Sequence, residues 1–254
     1  MKKFLALTLT LASAASLAHA QDAGGFRIGV KAGATYSNIS GDNVERIAGP
    51  NYSKDLGDYK LGYNAGVSVI IPLSSDGFFS FAPELLYNRK GYETQTTQTT
   101  GFSAADVTAG VKSIELEQQR VLHYLDVPLL ARINAGGLFF ELGPQASFLF
   151  GSKNKSQQTT KFTDPSKDKS KVETDGAFLD YTGVSRDDAY KSDLAQFDIS
   201  GVAGLGYMTE GGLSVGLRYA RGFNSLLDTK DTDNEPKAFN NAYTLQVGYL
   251  IPTK

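Results

Sequence analysis

The stretch DISGVAGLGYMTEGGLSVGLRYARG, residues 198–222, carries two patterns at once. Ile199, Ala203, Leu205 and Tyr207 share one parity, and after a turn Leu213, Val215, Leu217 and Tyr219 share one, which is the period of a strand with a single apolar face. The opposite parity holds Asp198, Ser200, Gly204, Gly206, Ser214, Gly216 and Arg218, so the second face is small or charged. Glycine weakens a strand, because it packs nothing and loses the most backbone freedom on folding. Its return at every second position needs a reason, and the reason lies on the polar face.

Working outward, period-two counting gives eight strands, at 26–36, 60–72, 78–92, 121–134, 138–151, 197–208, 213–221 and 241–251, with no competing segment of helical period. The connections alternate in kind. Ser75-Asp76-Gly77, Gly136-Gly137 and Thr209-Glu210-Gly211 read as tight turns, whereas 37–59, 93–119, 152–196 and 223–240 read as long polar loops. All tight turns then fall at one end of the sheet, with both termini, and all long loops at the other. That is the arrangement of an outer-membrane barrel, with turns in the periplasm and loops outside. The expected fold class is all-β: an eight-stranded antiparallel up-and-down transmembrane β-barrel.

The N-terminus agrees. Lys2 and Lys3 precede an apolar run at 4–11, and Ala18-His19-Ala20 places small residues where a signal peptidase reads, so residues 1–20 are expected to be a signal peptide cleaved after Ala20. Residues 21–254 then form one barrel domain, since no Pro-rich or Gly/Ser linker divides them. Removing the signal leaves 23 basic against 27 acidic residues, a net charge of −4, which argues against a nucleic-acid partner. Cysteine is absent, which excludes both a disulfide scaffold and a lipoprotein.

Alternation alone is shared with a soluble exported barrel whose apolar residues point inward; a sandwich core is disfavoured by the signal peptide and the loop asymmetry. The glycines decide. Gly29, Gly33, Gly62, Gly66, Gly143, Gly204, Gly206, Gly216 and Gly248 all take the polar parity. On a wetted exterior they would gain nothing, whereas a narrow interior needs small residues beside long ones. The polar parity therefore faces in. It carries Arg27, Lys31, Glu84, Asp126, Arg132, Glu141, Asp198 and Arg218, four charges of each sign, expected to pair as a structural network inside the lumen. The aromatics of the apolar parity, among them Phe26, Tyr36, Tyr87, Phe150, Tyr219 and Tyr249, gather near strand ends in the manner of interfacial girdles.

Parity also constrains the turns. The hairpins around Asp76 and Glu210 need odd loops, which puts Gly77 and Gly211 at the left-handed third position, and Gly136-Gly137 supplies an even loop with two residues suited to positive φ. With that two-residue turn, Arg132 faces Glu141 directly. Ile114 and Leu116 are apolar at even positions while Leu125, Val127 and Leu129 are apolar at odd ones, which predicts a β-bulge between Gln118 and Leu122.

The blocks GVKAGATYSNISG (29–41), HYLDVPLLARIN (123–134), LGPQASFLFG (142–151), DISGVAGLGY (198–207) and LRYARGFNSL (217–226) resemble, in order, those of the PorT-like outer-membrane β-barrel family. The Leu-Asp-Val-Pro-Leu-Leu run at 125–130 is the most specific of them. The resemblance implies an integral outer-membrane barrel, one member type being tied to protein secretion and many others termed porin-like. It implies no catalytic residue.

Candidate chemistry is sparse. His123 has outward parity near the outer rim, with Val121 and Leu125 where a lipid-modifying barrel enzyme would carry a serine, so interfacial packing is expected of it. The acidic run DTKDTDNE (228–235) lacks the glycine and distal glutamate of a calcium loop. The segment 152–196 has eight basic and eight acidic residues and forms no single-sign patch. No cofactor or metal is expected. The expected partners are outer-membrane lipid, the outer-membrane assembly machinery and a surface ligand or protein held by the loops. The leading expectation is a non-enzymatic barrel with a packed polar interior; the alternatives are a passive channel for small solutes, a secretion-associated barrel and, last, a lipid-modifying enzyme.

Overall fold

The computed structural model describes residues 26–41, 52–175, 194–226 and 237–252. Its strands are β1 (Arg27–Ser40), β2 (Tyr52–Pro72), β3 (Phe79–Gln98), β4 (Val111–Ala135), β5 (Leu138–Phe162), β6 (Lys169–Asp175), β7 (Phe197–Met208), β8 (Leu213–Gly222) and β9 (Phe239–Pro252). Every pairing is antiparallel. β1 pairs with both β2 and β9, β4 pairs with both β3 and β5, and β7 pairs with β5 and β8, so eight strands close a ring and leave no edge within it. The ninth, β6, pairs only with the far part of β5. No described helix is long and apolar enough to cross a membrane; the crossing elements are strands.

The faces follow the parities. Ile28, Val30, Leu61, Val67, Leu142, Ile199, Leu205, Val215, Leu217, Leu245 and Val247 are exposed, while Lys31, Asn64, Glu84, Asp126, Arg132, Glu141, Asp198 and Arg218 are buried. An inverted burial pattern over a closed ring is stable only if lipid covers the exterior. The glycine question is answered by contacts: a Cβ on Gly206 would meet Phe139 Cζ at 2.3 Å, one on Gly204 would meet Arg218 Cγ at 2.8 Å, and one on Gly248 would meet Lys31 Cγ at 2.9 Å.

Three expectations about turns and loops are changed. Gly77 (φ 69°) takes the left-handed place as expected, and so do Gly136 (60°) and Gly137 (89°). In the hairpin between β7 and β8, however, Gly212 (87°) and not Gly211 is left-handed, its N–H donating to the Thr209 carbonyl at 3.0 Å. Two adjacent glycines satisfy the odd-loop rule equally. Contact with β9 chooses between them, because the Leu250 N–H donates to the Gly212 carbonyl at 2.9 Å. Second, much of 93–119 and of 152–196 is strand: β3, β4 and β5 run on past the barrel, joined by the short helix α1 (Ala104–Ala109) and by the β5–β6 hairpin. The inward positions there are polar even where buried, as at Thr94, Thr96 and Ser152, so β3 and β5 show no apolar alternation and read as loop.

Third, the bulge expected between Gln118 and Leu122 is absent. β4 keeps one register against β3 from Phe79↔Ile133 to Gln98↔Ile114. The irregularity lies in β5, where His123 faces Gly151 and Tyr124 faces Leu149, leaving Phe150 as the extra residue. Ile114 and Leu116 keep the parity of buried Leu122 and Tyr124; what changes is the exterior, from lipid to water. Beyond the rim Glu115, Glu117 and Gln119 take the outward positions that Leu125, Val127 and Leu129 take within it. A switch of apolar parity here records a change of solvent.

Candidate functional site

The lumen is filled in layers. At the turn end, Arg27 and Arg132 converge on Met208, whose sulfur accepts from Arg27 Nη1 at 3.7 Å and Arg132 Nη2 at 3.6 Å. Ile70, Ala82, Leu130, Val202 and Leu250 pack as an apolar cluster there, with Met208 against it. Arg132 lies over the Phe139 ring, 3.7 Å from its centroid, and its Nε donates to Asn134 Oδ1 at 2.8 Å. The small residues Gly206 and Gly216 open the space that Phe139 fills.

Above this sits an ion-pair network. Arg218 bridges two carboxylates, donating to Glu84 at 2.6 and 2.8 Å and to Glu141 at 2.9 and 2.5 Å. Lys31 Nζ lies 2.5 Å from Glu84 Oε1 and 4.0 Å from Glu141 Oε1. Arg132 and Glu141 are direct cross-strand partners, with Nη1 3.2 Å from Oε1. Five side chains from β1, β3, β4, β5 and β8 therefore meet at the barrel axis, three cations against two carboxylates. Ion pairs this deep are held by multiple charge-assisted bonds, and each lost partner strands a charge in a dry interior.

Of the eight charges named from the sequence, five belong to this network. Arg27 stands apart at the Met208 sulfur. Asp126 and Asp198 form a second, higher cluster whose cation, Lys90, was not among the eight. Lys90 Nζ lies 2.9 Å from Asp126 Oδ2 and 4.8 Å from the Tyr124 ring centroid, and Asn88 donates to Asp126 at 2.9 Å. Asn240 Nδ2 donates to Asp198 Oδ2 at 2.6 Å and reaches the Tyr124 hydroxyl at 3.3 Å. Asp198 Oδ1 has no hydrogen-bond partner among the described residues. The signal for Lys90 was present, since it shares the even parity of Glu84 in β3.

At the loop end the described residues form an apolar layer. Leu194, Leu226 and Ala238 turn into the mouth and bury against Ile39, Tyr92, Leu122, Tyr124 and Leu149. Backbone bonds pin this plug: Leu226 N to Ala238 O at 2.6 Å, Ala195 N to Leu226 O at 2.7 Å and Leu149 N to Gln196 O at 2.8 Å. His123 is on the outer surface of the ring, its Nδ1 2.8 Å from the Tyr87 hydroxyl, between the rings of Tyr87 and Phe150. The acidic run 228–235 lies outside the described residues.

A closed ring with this burial pattern meets a family match over most of its length: residues 18–228 match the outer membrane protein beta-barrel domain. The chain belongs to this family. It is an integral protein of the outer membrane, and its exposed apolar belt is the lipid-facing surface. Among solved structures, this family member is similar to Ail, the attachment invasion locus protein of Yersinia pestis, at 12% identity and a TM-score of 0.39 over 90% of this chain and 99% of that one. It is also similar to Neisserial surface protein A (9% identity, TM-score 0.33, 87% and 96% covered) and to OprG from Pseudomonas aeruginosa (11%, 0.31, 91% and 97%). No curated protein matches it.

Proposed function

We propose that this outer-membrane barrel is a sealed, non-enzymatic scaffold whose working surface is the strand extension and loops at its outer end. The observation that carries the reading is the filling of the lumen: an apolar plug, the Lys90–Asp126 cluster, the five-residue ion-pair network and the Phe139–Met208 layer succeed one another from mouth to base. A ring of eight strands has an interior that side chains can fill, and layers packed at successive levels along it oppose the passage of a solute. With passage blocked, what the molecule offers its surroundings is the sheet that β3, β4, β5 and β6 raise beyond the aromatic rim. The pairing of His123 with Tyr87 within an aromatic cluster supports a packing role for that histidine and no chemistry.

The same reading includes export through a signal peptide cleaved after Ala20, insertion by the outer-membrane assembly machinery, and a surface ligand or protein held by the loops. Within the family it places the chain among the PorT-like barrels, on the strength of the blocks at 29–41, 123–134, 142–151, 198–207 and 217–226. Liposome swelling tests it: vesicles holding the folded protein should swell in small sugars no faster than empty ones, and swelling that falls with solute size would favour a passive channel.

A further inference from the structure

Among the described residues, the outward face gathers four cations at and just above the aromatic rim. Register places Tyr63, Arg89, His123 and Gly151 side by side on β2 to β5, and one outward step toward the loops it places Gly91, Val121 and Lys153, then Glu93, Gln119 and Lys155. Arg89, Lys153 and Lys155 share the outward parity, and both lysines are exposed. Lys60 joins them, its stem crossing the bare Gly91 backbone and its Nζ 3.1 Å from Gln119 Oε1 and 3.7 Å from Glu93 Oε2. Four cations thus stand over a strip that spans roughly 13 Å along the strands and 10 Å across them, with Glu93 among them, Asp58 in register with Glu93, and Glu117 at its loop-side border accepting from Gln119 at 3.0 Å.

The patch has a floor. Level with Arg89 and on the membrane side of the lysines lie Tyr63, Tyr87, His123 and Phe150, with successive ring centroids 5.8, 6.1 and 6.3 Å apart. Aromatics of this kind mark the level of lipid headgroups. Arg89 is fixed at that level, its Nη1 donating to the Leu61 carbonyl at 3.2 Å and its guanidinium 6.0 Å from the Tyr63 ring centroid. The turn end is the opposite: among the described residues its exterior charges are Asp76 and Glu210, with no lysine or arginine.

We infer that the Lys60–Arg89–Lys153–Lys155 patch binds the phosphate of a lipid headgroup in the outer leaflet, seating the acyl chains against the apolar belt beneath. Guanidinium and ammonium groups suit phosphate, the first by bidentate bonding and the second as a point charge. The occupant is a lipid because the cations stand immediately above a lipid-covered surface and lie at one interface alone.

The test reconstitutes the folded full chain in phosphatidylcholine bilayers doped with lipid A, either phosphorylated or enzymatically dephosphorylated, and reads retained lipid by native mass spectrometry. Phosphorylated lipid A should be retained about tenfold more, as two well-placed surface cations allow. Arg89→Gln/Lys153→Gln should lose most of that excess, and Arg221→Gln, on β8, should keep it. Native folding of the double variant is checked by its electrophoretic mobility before and after heating; if it does not fold, Lys153→Gln at its exposed site takes its place and should lose part of the excess. Equal retention of the two lipids, retention untouched by the substitutions, or displacement by millimolar inorganic phosphate would each overturn the inference.

Discussion

Glu141 has two guanidinium partners, Arg132 and Arg218, and that sets the response of the whole network. The five charges sum to one positive, so Glu141→Gln raises the excess to two while Lys31→Met cancels it and keeps most of the apolar stem. Glu141→Gln should destabilise the folded barrel by about 3–5 kcal/mol and Lys31→Met by clearly less, as read from urea unfolding in lipid vesicles. Equal losses would show that net charge does not govern the lumen. Packing gives a second contrast. A Cβ at position 206 meets Phe139 Cζ and the Val215 carbonyl, both at 2.3 Å, whereas at 216 the nearest atom is Phe139 Cζ at 3.3 Å. Gly206→Ala should therefore cost about 1–3 kcal/mol and Gly216→Ala much less, in the same unfolding assay. The need for these glycines was legible from their parity alone, but the identity of what they accommodate was not, since Phe139 reads as one more aromatic until its position under Arg132 is seen.

Single strands and turns bear the marks of their surroundings. Gly212→Ala places a left-handed residue against the Leu250 carbonyl, 2.0 Å from the new Cβ, and Gly211→Ala meets only Thr209 Oγ1 at 3.9 Å. The first should slow or prevent folding into vesicles and the second should not; the reverse order would restore Gly211 as the turn-forming residue. Leu217 has outward neighbours Leu205 and Leu245, so Leu217→Arg should cost about 2–4 kcal/mol if the site is near the midplane, and folding as good as wild type would refute the lipid-facing assignment. The parity of β1, β7, β8 and β9 was readable because lipid on one side and a polar lumen on the other give strict alternation. In β4 the rule changed partway. Ile114 and Leu116 keep their inward side, but alternation records only which face is apolar and is silent on what bathes the other. The Thr- and Gln-rich run at 94–98 and the Lys- and Ser-rich part of β5 failed as strand signals because their buried side is itself polar, as at Thr94, Thr96 and Ser152. Turn chemistry fixed loop parity correctly and left the choice between adjacent glycines to contacts with β9.

At the scale of the molecule, a tube packed with side chains joins a lipid-covered belt to a raised sheet beyond the membrane. The network crosses the axis between opposite walls, the apolar plug packs in the mouth, and the ring has no edge through which strands could part. On the proposed reading, obstruction of the lumen rests on the same contacts that hold the barrel together, and opening it would break both the Arg218 bridge and the backbone bonds of the plug. Single-channel recording of the purified full chain in planar bilayers tests this directly. The expected result is a silent membrane, with no stable open level at either polarity. Long-lived, ohmic openings in the unmodified protein would contradict it and make the lumen a pathway.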